Sequence, residues 1–324
     1  MQDKILEAEK RLKPILGKRV SILEAHRMSY GRDWSPRMYG DDNIPEMVAV
    51  PRNTEECQEI VKVAYELDIP VIAFAGGTGM GGGVQAWKGG IMVDTKGMDQ
   101  VIEFDEKNMS VRVGAGITIW HLNEFLAKHG MWLPHQPESK QASTVGAAIG
   151  CDNDSTFGIK YGKMLECLTS AKVVIGTGEA IEFGHRKASM TSTGYKLHHL
   201  FVGSESTLGI VTEAQLRVNY LPKTRTVMGF YVRTIEDACF ACEQLMTSGI
   251  QLESLHVNDK QRLHFYTHSY RVKYNREPEV PEWAEAIMFV SVAGDQDVVD
   301  FFCTKIRDKV KDIASEVKEQ EIVT

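Results

Sequence analysis

Residues 75–83 read Ala-Gly-Gly-Thr-Gly-Met-Gly-Gly-Gly, six glycines in nine positions, directly after the apolar run Pro70-Val71-Ile72-Ala73-Phe74. The run reads as a buried strand and the glycines as the loop that leaves it. Without Cβ atoms, successive backbone N–H groups can point into one concavity and hydrogen-bond anionic oxygens, so a phosphate is expected there unless the loop is a plain flexible turn. A P-loop fails because Val84-Gln85-Ala86-Trp87 follow, with no Gly-Lys-Ser/Thr. A Rossmann fingerprint fits poorly, since Gly89-Gly90 and the strand-like Ile91-Met92-Val93-Asp94 arrive where a helix should open. A loop between strands that binds a dinucleotide by backbone alone fits best.

At 324 residues the chain has length for one large or two moderate domains, and two are expected. Its 37 Lys and Arg against 44 acids give a net charge of -7, with no basic block to track a phosphodiester backbone, so no nucleic-acid partner is expected. No apolar run reaches the roughly 18 residues of a membrane span, and the N-terminus opens with charged Met1-Gln2-Asp3-Lys4. These features predict a soluble, cytoplasmic protein without a transmembrane segment. The six scattered cysteines read as reduced thiols, and Cys239-Phe-Ala-Cys242 as packing on an amphipathic helix, with no metal site.

Apolar spacing and capping residues predict a helix over 3–16 and an irregular segment over 30–45, followed by a strand at 47–50 and a helix that opens at Asn53-Thr54-Glu55-Glu56. Strands at 91–94, 101–104 and 109–113 and a helix over 118–129, stopped by Gly130, complete a first lobe. A second lobe holds a polar loop at 151–158 and strands at 171–175, 180–183 and 210–218. From Pro222 the order is strand 227–232, helix 234–248, strand 252–257, a polar mixed segment over 258–276, strand 286–292 and helix 296–317. That alternation predicts an antiparallel sheet backed by helices.

Four segments in order carry a family likeness: the glycine loop; Leu133-Pro-His-Gln-Pro-Glu-Ser139 with Ala142-Ser-Thr-Val-Gly-Ala-Ala148; Tyr161-Gly162; and Thr193-Gly-Tyr195 with Val202-Gly-Ser-Glu-Ser-Thr-Leu-Gly-Ile-Val211. Together they resemble the FAD-binding domain of the vanillyl-alcohol oxidase and p-cresol methylhydroxylase family, nearest to its glycolate oxidase, D-lactate dehydrogenase and alkyl-dihydroxyacetone-phosphate synthase branch. The resemblance implies an α+β fold. An N-terminal helix and lead-in occupy 1–45, a two-lobed PCMH-type FAD-binding domain 46–221 (lobes 46–132 and 133–221), and an incomplete ferredoxin-like α+β cap 222–324.

It also implies a cofactor site. Phe74, Ala75, Gly76, Gly77, Thr78, Gly79 and Met80 would wrap the pyrophosphate. Pro137, Ser139, Ser143, Thr144, Gly146 and Ala147 would place donors along the phosphates and ribityl chain, or the hydroxyls would only cap backbone groups. Glu205, Gly209, Ile210 and Val211 would lie by the adenosine half and flavin edge. Thr78 stands where relatives with covalent flavin often carry His, so FAD is expected to be non-covalent, and Phe74-Ala75 replaces the usual Arg-Gly. Asp152 and Asp154 would discourage an anionic substrate unless cations answer them.

The implied activity is that of a FAD-linked dehydrogenase. It would take a hydride from a 2-hydroxy acid or related alcohol onto the flavin and pass electrons to a separate protein, an electron-transfer flavoprotein or Fe-S subunit, within an oligomer or complex. A flavin-binding scaffold or relay subunit without its own turnover is the alternative. No catalytic base stands out; His256, Asn258, Arg262, His264, Tyr266, His268 and Tyr270 are the polar candidates of the cap. The His-rich, Gly-Asp-Gly-Asn-like segment of this branch does not occur before Thr324, which implies either a shortened chain or completion by another polypeptide.

Overall fold

A computed structural model describes residues 1–36, 43–187 and 191–317, and the part of the irregular lead-in at 37–42 lies outside the described residues. The chain divides into two compact units, residues 1–156 with 162–220, and residues 157–161 with 221–324.

In the first unit α1 (Gln2–Leu16), β1 (Val20–Ser21), α2 (Glu24–Met28), β2 (Met47–Ala49), α3 (Thr54–Glu66), β3 (Val71–Phe74) and β4 (Ile91–Asp94) build a four-stranded sheet ordered β1-β2-β4-β3. β2 and β3 both run parallel to β4. Alternation along the strands sends Met47, Ala49, Ile91 and Val93 toward α1 and α3, while Val48, Met92 and Phe74 meet Tyr30 on the other face. α1 buries Ile5, Ala8, Leu12 and Leu16, one face of a helix, and Asn53 caps α3 by accepting the Glu56 amide.

The second sheet follows from β5 (Val101–Asp105), β6 (Ser110–Gly114), α4 (Ile119–Ala127), β7 (Met131–Trp132), α5 (Val145–Cys151), α6 (Gly158–Tyr161), α7 (Met164–Cys167), β8 (Leu168–Val174), β9 (Ala180–Gly184), β10 (Ile210–Arg217) and β11 (Asn219–Tyr220). Its order is β5-β6-β10-β8-β9, antiparallel throughout, while β7 and β11 pair apart from it as an antiparallel two-stranded sheet. Val111, Val113, Ala171, Val173, Ala214 and Leu216 pack with α4, α5 and α7 in one core. On the other face Arg112, 5 % exposed, pairs with both Glu182 and Glu213, and Lys172 also reaches Glu213.

The second unit contains β12 (Thr224–Val232), α8 (Ile235–Met246), β13 (Ser254–Asn258), α9 (Lys260–Tyr274), β14 (Ala286–Gly294), α10 (Gln296–Val310) and β15 (Ala314–Glu316), in an antiparallel sheet ordered β13-β14-β12-β15. Ala286, Met288, Val290 and Val292 on β14 face α8 and α10, and the alternate Ile287 and Phe289 face α9 through Leu263 and Tyr266.

Several sequence expectations are corrected. β5 and β6, read as part of a first lobe, belong to the second sheet through β6–β10 pairing, so the sheets do not divide the chain at 132/133. Met109 takes φ +49° and makes the turn before β6 instead of opening it. The polar segment 258–276 is largely one helix, α9, whose buried Leu263 and Tyr270 are offset by exposed Phe265 and Val272, blurring the apolar period. The helix expected over 296–317 stops at Val310, because residues 314–316 pair with the free edge of β12 and tertiary pairing overrides local propensity. Cys239 is exposed on α8, while Cys242 is half-buried against the core. No helix of the described residues is long and apolar enough to cross a membrane.

Candidate functional site

The parallel strands β3 and β4 end side by side, and at such carboxyl ends an α/β sheet leaves its ligand crevice. Here the two exits are tied together, the Thr95 hydroxyl donating to the Phe74 carbonyl at 3.0 Å. Beyond Phe74 the glycine loop forms one wall of a cleft of about 480 Å3 within the first unit. That size is within the range of small-molecule and cofactor sites.

Nine of the expected residues line this cleft: Phe74, Ala75, Gly79, Met80, Gly146, Ala147, Glu205, Ile210 and Val211. Gly76 and Gly77 do not line it, but they fix the course of the loop. A Cβ on Gly76 would lie 2.2 Å from the Ala142 carbonyl oxygen, so the loop is pressed against the 139–143 turn, and Gly77 takes φ +64° beneath the Phe74 ring. Thr78, Pro137, Ser139, Ser143 and Thr144 do not line it, nor does Gly209, which packs against Val173 of β8.

The loop's amides are the site's main chemical resource. Among the described residues no backbone N–H of residues 76–81 donates to another group of the chain. By contrast, the start of α5 offers little. The Val145 amide donates to Ile117, the Gly146 amide to the Ala115 carbonyl at 2.7 Å, and the Ala147 amide to the Thr144 hydroxyl. The expectation of amide donors from Gly146 and Ala147 is therefore corrected: these residues supply a smooth wall, and the Thr144 oxygen caps α5.

Several lining residues were not anticipated, among them Asp33, Thr95, Cys151, Ser206 and the strand residues Val71, Ile72 and Ala73. The strand residues could have been read from β3 leading into the loop. Asp33 could not, because it comes from 42 positions before Ala75 in the irregular lead-in. Its buried carboxylate accepts from the Ser35 amide at 3.0 Å and from Gln85 Nε2 at 3.3 Å. Burial alone would raise its pKa, but the Ser35, Gln85 and Gly82 donors outweigh that and hold it below the usual carboxylate range. Cys151 is the reverse: burial, then the Glu205 charge, push its thiol up, so it stays protonated at the cleft wall.

Asp33 and Glu205 are the charged lining residues, and no Lys or Arg joins them among the described residues. What the described residues offer an anion here is main-chain dipoles and not cations. At the end of α5, Asp152 takes φ +43°, and Lys163 sits 3.0 Å from Asp154 and 3.8 Å from Asp152, so a cation does answer both carboxylates. In the second unit the polar candidates do not converge: His256 and Asn258 lie on β13, Arg262, His264, Tyr266 and His268 are spread around α9, and Tyr270 is fully buried.

Residues 45–184 match the family model of the FAD binding domain. The chain is 30% identical over 303 residues to D-lactate dehydrogenase (cytochrome) 1, mitochondrial, of Saccharomyces cerevisiae, covering 90% of this chain and 49% of that protein. It is 30% identical over 239 residues to the glycolate oxidase subunit GlcD of Bacillus subtilis, covering 74% and 50%. The chain thus spans about half the length of these curated relatives. The crystal structure of p-cresol methylhydroxylase with substrate bound superposes with a TM-score of 0.81 at 18% identity, over 99% of this chain and 67% of that one, which shows the fold.

Proposed function

We propose, from the premise that this chain belongs to the vanillyl-alcohol oxidase and p-cresol methylhydroxylase family of FAD-binding proteins, that it is a FAD-dependent dehydrogenase of 2-hydroxy acids or related alcohols. The observation that carries the reading is a glycine loop over 76–81 whose amides donate to no other group among the described residues, with Gly79, Met80 and Gly81 lining a cleft to which those residues bring no Lys or Arg. It suits a diphosphate bridge whose charge is spread over several oxygens. The residues present fit FAD. The glycine loop would hold the pyrophosphate, Ile210 and Val211 with Val71 and Ile72 would give the adenosine half an apolar wall, and Glu205 would accept from a hydroxyl or amino group. Thr78 stands where relatives with covalent flavin often carry His, and its hydroxyl is a far weaker nucleophile than an imidazole, so we take the cofactor as non-covalent.

When bound, the flavin supplies the hydride acceptor, and the protein orients the substrate and excludes water. The names of the relatives favour lactate or glycolate as the substrate class and a separate protein as the electron acceptor. The test is the visible spectrum of the purified protein, followed by anaerobic addition of D-lactate and glycolate. Flavin bands that bleach with either acid support the dehydrogenase. Bands that persist with every hydroxy acid and alcohol tried overturn it in favour of a scaffold or relay subunit. Flavin that stays in the protein pellet after acid precipitation overturns the non-covalent assignment.

A further inference from the structure

A second hollow, of about 300 Å3, shares no residue with the cleft. It forms where three strand ends of the second sheet meet. His185 follows β9, Thr169 begins β8, Arg217 closes β10, and the 3-10 turn Leu197–Phe201 with Lys196 before it contributes His198 and His199. The strand ends are knit by the His185 amide donating to the Thr169 carbonyl at 2.9 Å.

Charge is distributed unevenly here. His185, Lys196, His198, His199 and Arg217 face one carboxylate, Glu166, in a chain whose net charge is -7. Glu166 Oε2 is already engaged by the Lys163 amide at 2.7 Å, and Arg217 Nη2 donates to the Glu166 main-chain oxygen at 3.2 Å. Among the described residues the acids Asp152, Asp154 and Glu213 pair with Lys163 and Lys172 and not with these five side chains. His198 is 5 % exposed, its Nδ1 has no partner, and its ring lies 4.3 Å from that of His199. Gly184, at φ +92°, is what admits that ring, since a Cβ there would stand 3.0 Å from Nδ1. Burial, then the neighbouring His199, His185 and Lys196, hold His198 down to about 4, and burial followed by Lys196 holds His199 below its ordinary value. Neutral imidazoles with ring N–H groups to donate, set beside the Arg217 and Lys196 charges around a polar hollow, are complementary to an anion.

We propose that this hollow binds a small oxyanion of the phosphate class, with Arg217 and Lys196 supplying charge and His198 and His199 supplying ring N–H donors. Charge-assisted hydrogen bonds from several elements would hold it, as in other phosphate sites.

The test titrates the FAD-loaded protein with sulfate, which carries no titratable proton in the working range, against chloride at matched ionic strength, while histidine ring resonances are followed by NMR. Saturable shifts of His198 and His199 with sulfate, absent with chloride, are expected. Lys196→Gln, a change at an exposed side chain, should weaken binding about tenfold with flavin content unchanged. Arg217→Gln should weaken it at least as much. Shifts that match those of chloride, or a Lys196→Gln protein that binds sulfate as tightly as the parent, overturn the site. Inorganic phosphate and glycerol phosphate then separate a free ion from a phosphorylated metabolite: tighter binding of either supports the site, and binding of neither overturns it.

Discussion

The Glu253 side chain has no exposed surface, and both its oxygens are taken by Arg225, whose Nε lies at 2.5 Å and Nη2 at 2.8 Å. The same guanidinium covers the Phe157 ring at 4.5 Å, and the Tyr161 hydroxyl approaches Glu253 at 3.4 Å. Burial, then the Glu253 charge, push that phenol up to about 12. A two-pronged pair of this kind therefore fastens residues 157–161 to β12 and to the residue before β13.

Removing the carboxylate takes from Arg225 the two oxygens that accept from its Nε and Nη2. Glu253→Ala should destabilise the protein by about 3 kcal/mol, the low end for a broken buried pair because Arg225 keeps some solvent contact. Glu253→Gln should lose less. Urea denaturation followed by tyrosine fluorescence measures both, and an alanine variant as stable as the parent would refute the latch.

Gly76→Val should lower bound FAD more than tenfold while the circular dichroism of the chain stays near that of the parent, since the new side chain would collide with the Ala142 carbonyl and push the loop amides out of line. Gly79→Ala is the matched control. A Cβ there meets nothing within 4 Å, and flavin content should be retained. Equal loss in both variants would mean that loop entropy, and not this contact, governs the site.

Thr144→Ala should cost about 1 kcal/mol by uncapping α5, whereas Thr144→Ser should recover most of that. Because the hydroxyl is committed to the Ala147 amide, the alanine variant should change melting temperature more than FAD affinity per remaining folded molecule. Thermal unfolding with and without added FAD separates the two.

Acid sensitivity should begin with the buried histidines, and the largest part in it belongs to His198. In the folded chain it stays neutral down to about 4, whereas an unfolded histidine takes its proton near 6.5. Between those values the unfolded state binds more protons, so stability falls as pH falls, by at most about 1.4 kcal/mol per pH unit for one proton. Glu182, held at about 2 chiefly by Arg186 against an ordinary 4.5, contributes its loss at lower pH. His198→Gln should make the curve of stability between pH 4 and 6.5 shallower, with the remaining slope carried by His135 and His199, which burial also holds below their ordinary value, and leave the more acidic limb in place. An unchanged slope there would assign the effect to another group.

The parts that could be read from residue order are those governed by local rules. Asn53, Thr118 and Thr234 each cap the helix that follows, and β3 runs into the glycine loop, whose amides over 76–81 donate to no other group among the described residues. What escaped depends on distant partners. The pairing of β6 with β10 joins residues about a hundred positions apart, and β15 is a strand only because β12 has an open edge. At the site, Ser143 and Thr144 look like ligand hydroxyls by type, yet both are buried, and the cap role of Thr144 is visible only once α5 starts at Val145. Asp33 reaches the cleft from an irregular stretch with no periodicity to mark it.

The chain leaves the first unit at Thr156, contributes residues 157–161 to the second, returns at Gly162 and departs again after Tyr220. A protein engineer who wished to graft the second unit onto another flavoprotein could not do so with a single splice. A transplant that began at Leu221 would leave Phe157, Lys160 and Tyr161 behind, and with them the donors and rings that Ala293, Arg225 and Glu253 are built to receive. Shuffling between relatives should therefore succeed only when the five-residue insert and the downstream unit travel together.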